Sequence, residues 1–250
     1  MNEFTYVSLF AGLVFLLAGT VKGITGMGLP TVAMGLLGLV MAPVQAAALL
    51  IIPSLATNLW QMAAGPHLAK MFKRFATMMA GIALGTFAGI GLLVGGDGRL
   101  APVALGAVLA CYGTIGLVSL RLRVSHRAEI GLSPLIGLIT GILTGATGIF
   151  VVPAVPYLGS LNLEKEELIQ ALGLSFTVST IALGMGLAAN GQFHFAAAGG
   201  SLLALAPALG GMLIGQRIRE RLSPERFRRW FFIALILLGA VMVARALART

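Results

Sequence analysis

Hydrophobic positions along the chain fall into eight blocks, at about 4–40, 43–64, 75–95, 100–120, 131–160, 168–189, 196–216 and 230–247, separated by short polar or basic connections. Most are near the ~20 apolar residues that carry a helix across ~30 Å of hydrocarbon. The pattern predicts an all-α polytopic membrane protein. Two blocks, the first and the fifth, are longer than one crossing and carry helix-breaking residues near their middles. The first reads "AGTVKGITGMGLPTVAMG" at 18–35, and the second "GILTGATGIFVVPAVPYLG" at 141–159.

Composition agrees with the blocks. Of 250 residues, 58% are hydrophobic and 10% charged, with a mean hydropathy of +0.98, which excludes a soluble domain and leaves almost no room for an extramembrane one. The first block lacks the basic n-region and small-residue cleavage site of a removable signal peptide, so it is expected to belong to the fold. Cys111 is the single cysteine, which rules out an intrachain disulfide and a thiolate metal site. The net charge of +9 would suggest nucleic acid in a soluble protein. Here Lys and Arg lie between apolar blocks, so topology and anionic head groups explain them, and no nucleic-acid partner is expected.

The two halves resemble each other. Gly19, Gly23, Thr25 and Gly26 recur as Gly141, Gly145, Thr147 and Gly148; "AL" at 48 and Thr57 recur as "AL" at 171 and Thr180; "ALG" at 83–85 recurs at 208–210; His67 falls near the place of His194. The expected organisation is one integral membrane domain built from repeats 1–125 and 126–250, each of four blocks. Loops rich in Lys and Arg gather on the cytoplasmic side. These are 65–74 (Lys70, Lys73, Arg74), 121–129 (Arg121, Arg123, Arg127) and 216–229 (Arg217, Arg219, Arg221, Arg226, Arg228, Arg229). Their counterparts in the other half are poor in charge: 190–195 has none, and 96–99 sets Asp97 against Arg99; Arg245 and Arg249 are the exceptions, at the outer face. Basic loops facing neutral ones are the pattern of inverted repeats. Inversion needs an odd number of crossings per half, which makes each Gly-rich block a re-entrant hairpin. The arms 131–143 and 149–160, roughly 20 Å each as helices, are too short to span. A parallel arrangement with one long broken helix per half is the alternative.

Irregular backbone is tolerated at membrane depth only where protein covers it or a wet cavity takes it up. Paired tips of this kind point to a binding site. Gly23, Gly26 and Gly28 permit unusual backbone, and Pro30 suits a helix start, as Pro153 does in the second tip. Helices starting at the tips would aim N–H groups and positive dipole ends at an anion. Lys22 has the same sign. An ammonium near the bilayer centre costs ~3 kcal/mol or more, and no Asp or Glu lies in any apolar block, so a bound anion is its most economical counter-ion; the competing reading has Lys22 snorkelling to an interface. The helices "PSLATNLWQ" (53–61) and "LSFTVSTIA" (174–182) bring Ser54, Thr57, Asn58, Gln61, Ser175, Thr177, Ser179 and Thr180. Each hydroxyl can serve an oxyanion or bond its own helix; the matched pair Thr57 and Thr180 are the foremost candidates. The substrate-facing set is thus Lys22, Thr25, Gly26, Met27, Gly28, Thr57, Asn58, Thr147, Gly148, Ile149, Phe150, Ser179 and Thr180. His67 and His194 read as solvated block ends, and "LNLEKEEL" at 161–168 as a solvated loop with a helix start. No metal-ligand spacing, catalytic triad or nucleotide-binding loop is present. No cofactor, metal or ATP hydrolysis is therefore expected.

"GTVKGITGMGLPTVA", its echo "GILTGATGIFVVP" and the duplicated halves resemble the sulfite exporter TauE/SafE family, also called the 4-toluene sulfonate uptake permease family, over essentially the whole chain. Where members often carry Gly-Gly-Gly, this chain has "GIF" at 148–150. The resemblance implies a multi-pass transporter of the bacterial inner membrane that moves sulfite, sulfoacetate or other sulfonates; without a nucleotide-binding domain its transport is expected to be gradient-driven or passive, and rocking of one repeat against the other is expected to alternate access. The expected partners are a small anion and the lipid bilayer, and a homodimer is compatible with the sequence. A passive anion channel and a membrane-embedded enzyme, for which only Cys111, His67 and His194 could act, are the other classes.

Overall fold

The structure is a computed structural model that describes residues 3–95, 99–118, 123–219, 221 and 223–248. Asp97, Arg121 and Arg249, which entered the charge comparison, lie outside the described residues. Among the described residues there is no strand. The helices are α1 (Glu3–Thr25), α2 (Leu29–Leu37), α3 (Pro43–Ala63), α4 (Leu68–Gly95), α5 (Leu100–Val118), α6 (His126–Thr147), α7 (Ala154–Gly159), α8 (Lys165–Ala189), α9 (Phe195–Arg219) and α10 (Pro224–Ala248). All except α2 and α7 are long and apolar enough to cross a membrane, which gives eight candidate spans. Leu203, Ile130 and Leu84 stand exposed on the outside of the bundle, as lipid-facing side chains do. Trp60 and Trp230, near the end of α3 and the start of α10, are exposed as in an interfacial belt.

The Gly-rich blocks do break where expected, but their arms are unequal. α1 has 23 residues and α6 has 22, roughly 34 Å each, while α2 has 9 and α7 only 6. The two arms of about a dozen residues expected in the second block are therefore not what forms. Its first helix begins before the apolar run, where Ser125 caps the N-terminus by accepting from the amide of Ala128. The long arms end alike. Gly26 and Gly148 take positive φ (77° and 73°), and their amides donate to the carbonyls of Lys22 and Thr144, respectively.

The helix contacts come in matching sets. α1 lies on α9 as α6 lies on α4; α3 meets α9 as α8 meets α4; α3 pairs with α8, and α5 with α10. Glycines allow the closest of these approaches. A Cβ at Gly19 or Gly23 would collide with the carbonyl oxygen of Ala208 or Met212, and one at Gly141 or Gly145 with that of Ile82 or Thr86. In α4 and α9 the matching glycines are Gly85 and Gly211, which meet Leu138 and Leu16. The "ALG" repeat at 208–210 is thus one residue out of structural register: Gly210, its glycine, approaches only the tip of the Leu16 side chain.

These contacts also fix directions. Contact positions rise together along α1 and α9, and along α4 and α6, so each pair is parallel. They run oppositely in α3 and α8, where Met62 meets Gly173 and Ile51 meets Gly184, and in α5 and α10, where Gly106 meets Gly239 and Gly113 meets Phe232. The α3–α4 turn, the approach to α6 and the α7–α8 link meet at one end: the His67 amide donates to Gln170 Oε1 (2.7 Å) and the Val124 amide to the Ser160 carbonyl (3.1 Å). Since α9 returns antiparallel to α8, its C-terminus reaches that end too. All three basic loops are therefore together, and this end is called the basic end below.

Pro53 inside α3 removes the donor that would serve the Leu49 carbonyl. Ser201 of α9 replaces it, donating to Leu49 O (2.8 Å) while accepting from the Ile52 amide (3.0 Å).

The glycine contacts lead to a stability prediction. Gly145→Leu is expected to lower the thermal unfolding temperature of the detergent-solubilised protein, at a cost of about 1–3 kcal/mol or more from overpacking. Gly91→Leu, whose Cβ would meet nothing within 4 Å, should leave it unchanged.

Candidate functional site

The site builds outward from Lys22, in the last turn of α1 and only 4% exposed. Its ammonium donates to Oδ1 of Asn58 on α3. Asn58, itself buried, passes the contact on through Nδ2 to Thr180 Oγ1 on α8 (3.2 Å). One chain of hydrogen bonds thus joins the first broken segment to the helix pair α3–α8 that brings the halves together. No carboxylate lies within ion-pair distance of Lys22 among the described residues. An ammonium has three donors, and the amide oxygen takes one. Among the described residues its side-chain partner is thus a neutral amide rather than a carboxylate. Snorkelling to an interface is not what Lys22 does here.

The hydroxyls separate into two groups. Thr57 donates to Pro53 O (2.8 Å), Thr177 to Gly173 O (2.7 Å) and Thr180 to Phe176 O (2.7 Å). Each binds back to its own helix, as β-branched hydroxyls commonly do. Ser54, Ser175 and Ser179 are buried and have no protein partner among the described residues, as has Oε1 of Gln61. Among these hydroxyls of α3 and α8, the unpartnered ones are therefore the three serines; Thr31 of α2 and Thr140 of α6 are buried without a partner as well. The equivalence of Thr57 and Thr180 reflects the duplication of backbone-bonded positions.

The tips show the same economy. Thr25 Oγ1 accepts from the Met27 amide (3.2 Å) and shares its proton between Val21 O (2.9 Å) and Met27 O (2.6 Å). Thr147 Oγ1 accepts from the Ile149 amide (3.2 Å) and donates to Leu143 O (2.7 Å). The Thr-Gly pair recurring in both halves thus closes the turn, and the amides of Gly26, Met27, Gly148 and Ile149 are spent within it. Gly28, with φ 100°, keeps the first tip slender. At the second tip Phe150 is fully buried and packs against Phe176 at 5.3 Å between ring centroids, so an aromatic ring occupies space beside the tip. Gly148 meets the side chain of Met34 on α2, which brings the second tip against the first broken segment.

Two buried carboxylates escaped the sequence reading. Glu129 and Glu167 stand just outside the apolar blocks but inside α6 and α8, 4% and 7% exposed. Glu129 takes a bidentate pair from Arg74 (Nε–Oε1 2.6 Å, Nη2–Oε2 2.9 Å), and Glu167 pairs with Lys70 at 2.5 Å. Glu167 also closes a capping box with Glu164, at a helix start whose Glu164, Lys165 and Glu166 are exposed, so Glu167 is the one buried charge of "LNLEKEEL". The usable signal was the capping pattern Glu164-x-x-Glu167.

A bundle of eight apolar helices, two of them followed by Gly-rich breaks that lead into the interior beside a buried charge, defines a multi-pass membrane protein of the transport type. Residues 11–242 match the family Sulfite exporter TauE/SafE, and the chain belongs to that family. No curated protein and no solved structure matches the chain.

If Asn58 is the ammonium's protein partner, Asn58→Leu should cost about 1.5–3 kcal/mol of unfolding free energy, the range for a hydrogen bond to a charged group. Combined with Lys22→Leu, it should cost clearly less than the sum of the single variants; additive losses in thermal or denaturant unfolding would show that the two side chains are not coupled.

Proposed function

We propose that this protein is a transporter of small sulfur oxyanions, sulfite or organosulfonates, in the inner membrane of a bacterium, driven by gradients and without ATP hydrolysis. The observation that carries the reading is Lys22: a buried cation whose protein partner is neutral, set where the first broken segment meets the α3–α8 seam. A sulfonate or sulfite group presents three oxygens on one sulfur. It supplies the missing charge and accepts from the remaining ammonium hydrogens and from the nearby serines. Ser54, Ser175 and Ser179 are the neutral donors best suited to this, since their protons are not committed to protein. Asn58 holds the ammonium in place. Thr57, Thr180 and the tip residues Thr25 to Gly28 and Thr147 to Phe150 shape the cage. The family's sulfite exporters support the choice of sulfur over other oxyanions.

The two halves are inverted repeats in this reading, with the Gly-rich segments as re-entrant hairpins of unequal arms. Support comes from the directions of the close helix pairs: equivalent helices α3 and α8, and α5 and α10, run oppositely. Rocking of one repeat against the other then alternates access to the site between the tips. The basic end is the cytoplasmic one by the positive-inside rule.

The test is a thermal-shift titration of the purified protein with sulfite, sulfoacetate and an aromatic sulfonate. Stabilisation by at least one of them is expected, growing with concentration as linkage requires, and lost in Lys22→Gln. Equal stabilisation of Lys22→Gln would remove the charge from the site. For topology, cysteines placed at 66 and 125 should react with impermeant reagents from one face and a cysteine at 192 from the other, in a Cys111→Ala background.

A further inference from the structure

We propose that polar contacts between α4 and the α6–α8 side form a one-sided clamp, which closes the substrate pathway at the basic end and must open for exchange there. The inference rests on the transporter reading. It concerns residues that reading does not use.

Three contacts make up the clamp, and each crosses from one half of the chain to the other. Arg74 grips Glu129 through two nitrogens, and Lys70 holds Glu167. Gln170, fully buried, binds the whole α3–α4 turn: its Nε2 donates to Met62 O (3.0 Å) and Gly65 O (2.6 Å), and its Oε1 accepts from the His67 amide. Further groups back the carboxylate of Glu129. His126 Nδ1 lies 3.2 Å from its Oε2, and Tyr157 of α7 reaches Ser133 Oγ (2.7 Å) and the Glu129 carbonyl (3.4 Å). The second broken segment is thereby tied to the clamp through its short arm.

The opposite end lacks these groups. In the register set by Gly19 with Gly141 and Gly85 with Gly211, the counterpart of Glu129 is Val7 and that of Arg74 is Gly200. In the register of Thr57 with Thr180, Glu167 and Gln170 correspond to Val44 and Ala47. Two repeats that exchange conformations would give two end states of equal energy if the halves were identical. The three clamp contacts have no counterpart at the register-equivalent positions of the other end, and so favour the state in which the basic end is closed. A bidentate, charge-assisted pair such as Arg74–Glu129 is the strongest kind of polar contact available for this. They are also reversible, because the Lys70 side chain is largely exposed and water can replace its partner.

The experiment reads access without substrate. Ala171, buried on α8 one turn beyond Glu167, is replaced by cysteine in a Cys111→Ala background. Labelling by an impermeant maleimide is timed from each face in membrane vesicles of both orientations. With the clamp intact the reaction is expected to be slow from both faces. Glu129→Gln with Glu167→Gln should speed it roughly tenfold or more from the basic face alone, as expected when charge-assisted bonds are lost. Lys70→Ala should give a smaller rise in the same direction and serves if the double variant does not fold. An unchanged rate, or an equal rise from both faces, would overturn the clamp. Neither result depends on the anion titration of Lys22→Gln, so each proposal can fail alone.

Discussion

A peptide group left unpaired at membrane depth costs several kcal/mol, and this protein breaks two apolar helices, after Thr25 and after Thr147. The rest of the architecture answers that constraint. Each tip spends its own threonine on the turn, Thr25 in one half and Thr147 in the other, and each long arm is covered by a parallel neighbour packed backbone to backbone. Glycine makes such cover feasible. At Gly19, Gly23, Gly141 and Gly145 any side chain would strike the carbonyl of the covering helix, so the same residues that weaken a helix let another seal it.

With the backbone satisfied, the remaining unbalanced feature is electrostatic. Lys22 reaches Asn58 and, through it, Thr180, which links a tip to both halves of the chain. The second half has Thr144 at the place of Lys22, bonded to its own helix, and Phe150 at the place of Gly28. The two tips thus differ, with Lys22 and slender backbone at one and an aromatic ring at the other. The ends diverge in the same way, with buried carboxylates at the basic end and Val7 and Val44 at their counterparts.

Much of this was legible from the sequence for definite reasons. Span length and hydropathy follow from bilayer thickness, and each of the eight apolar blocks corresponds to one of the eight candidate spans. The Gly-rich segments 22–28 and 144–148 marked both helix breaks, because a positive φ after a helix favours glycine. The arm lengths were not legible. Helices continue into polar sequence when a cap or a tertiary contact permits, as Ser125 does for α6, and hydropathy is blind to both. Glu129 and Glu167 were missed for the same reason: a carboxylate at a block edge looks solvated until its partner on another helix is known.

The sequence by itself determined the class of protein, the two breaks and the presence of a lone cation among apolar residues, since these depend on composition and local backbone chemistry. Only the tertiary structure decided which hydroxyls remain free: Thr57 and Thr180 bond their own helix, while Ser54, Ser179, Thr31 and Thr140 have no protein partner among the described residues. It alone brought Asn58 to Lys22 and Arg74 to Glu129, pairs separated along the chain by whole helices. Their meeting depends on how helices pack, which no local pattern encodes.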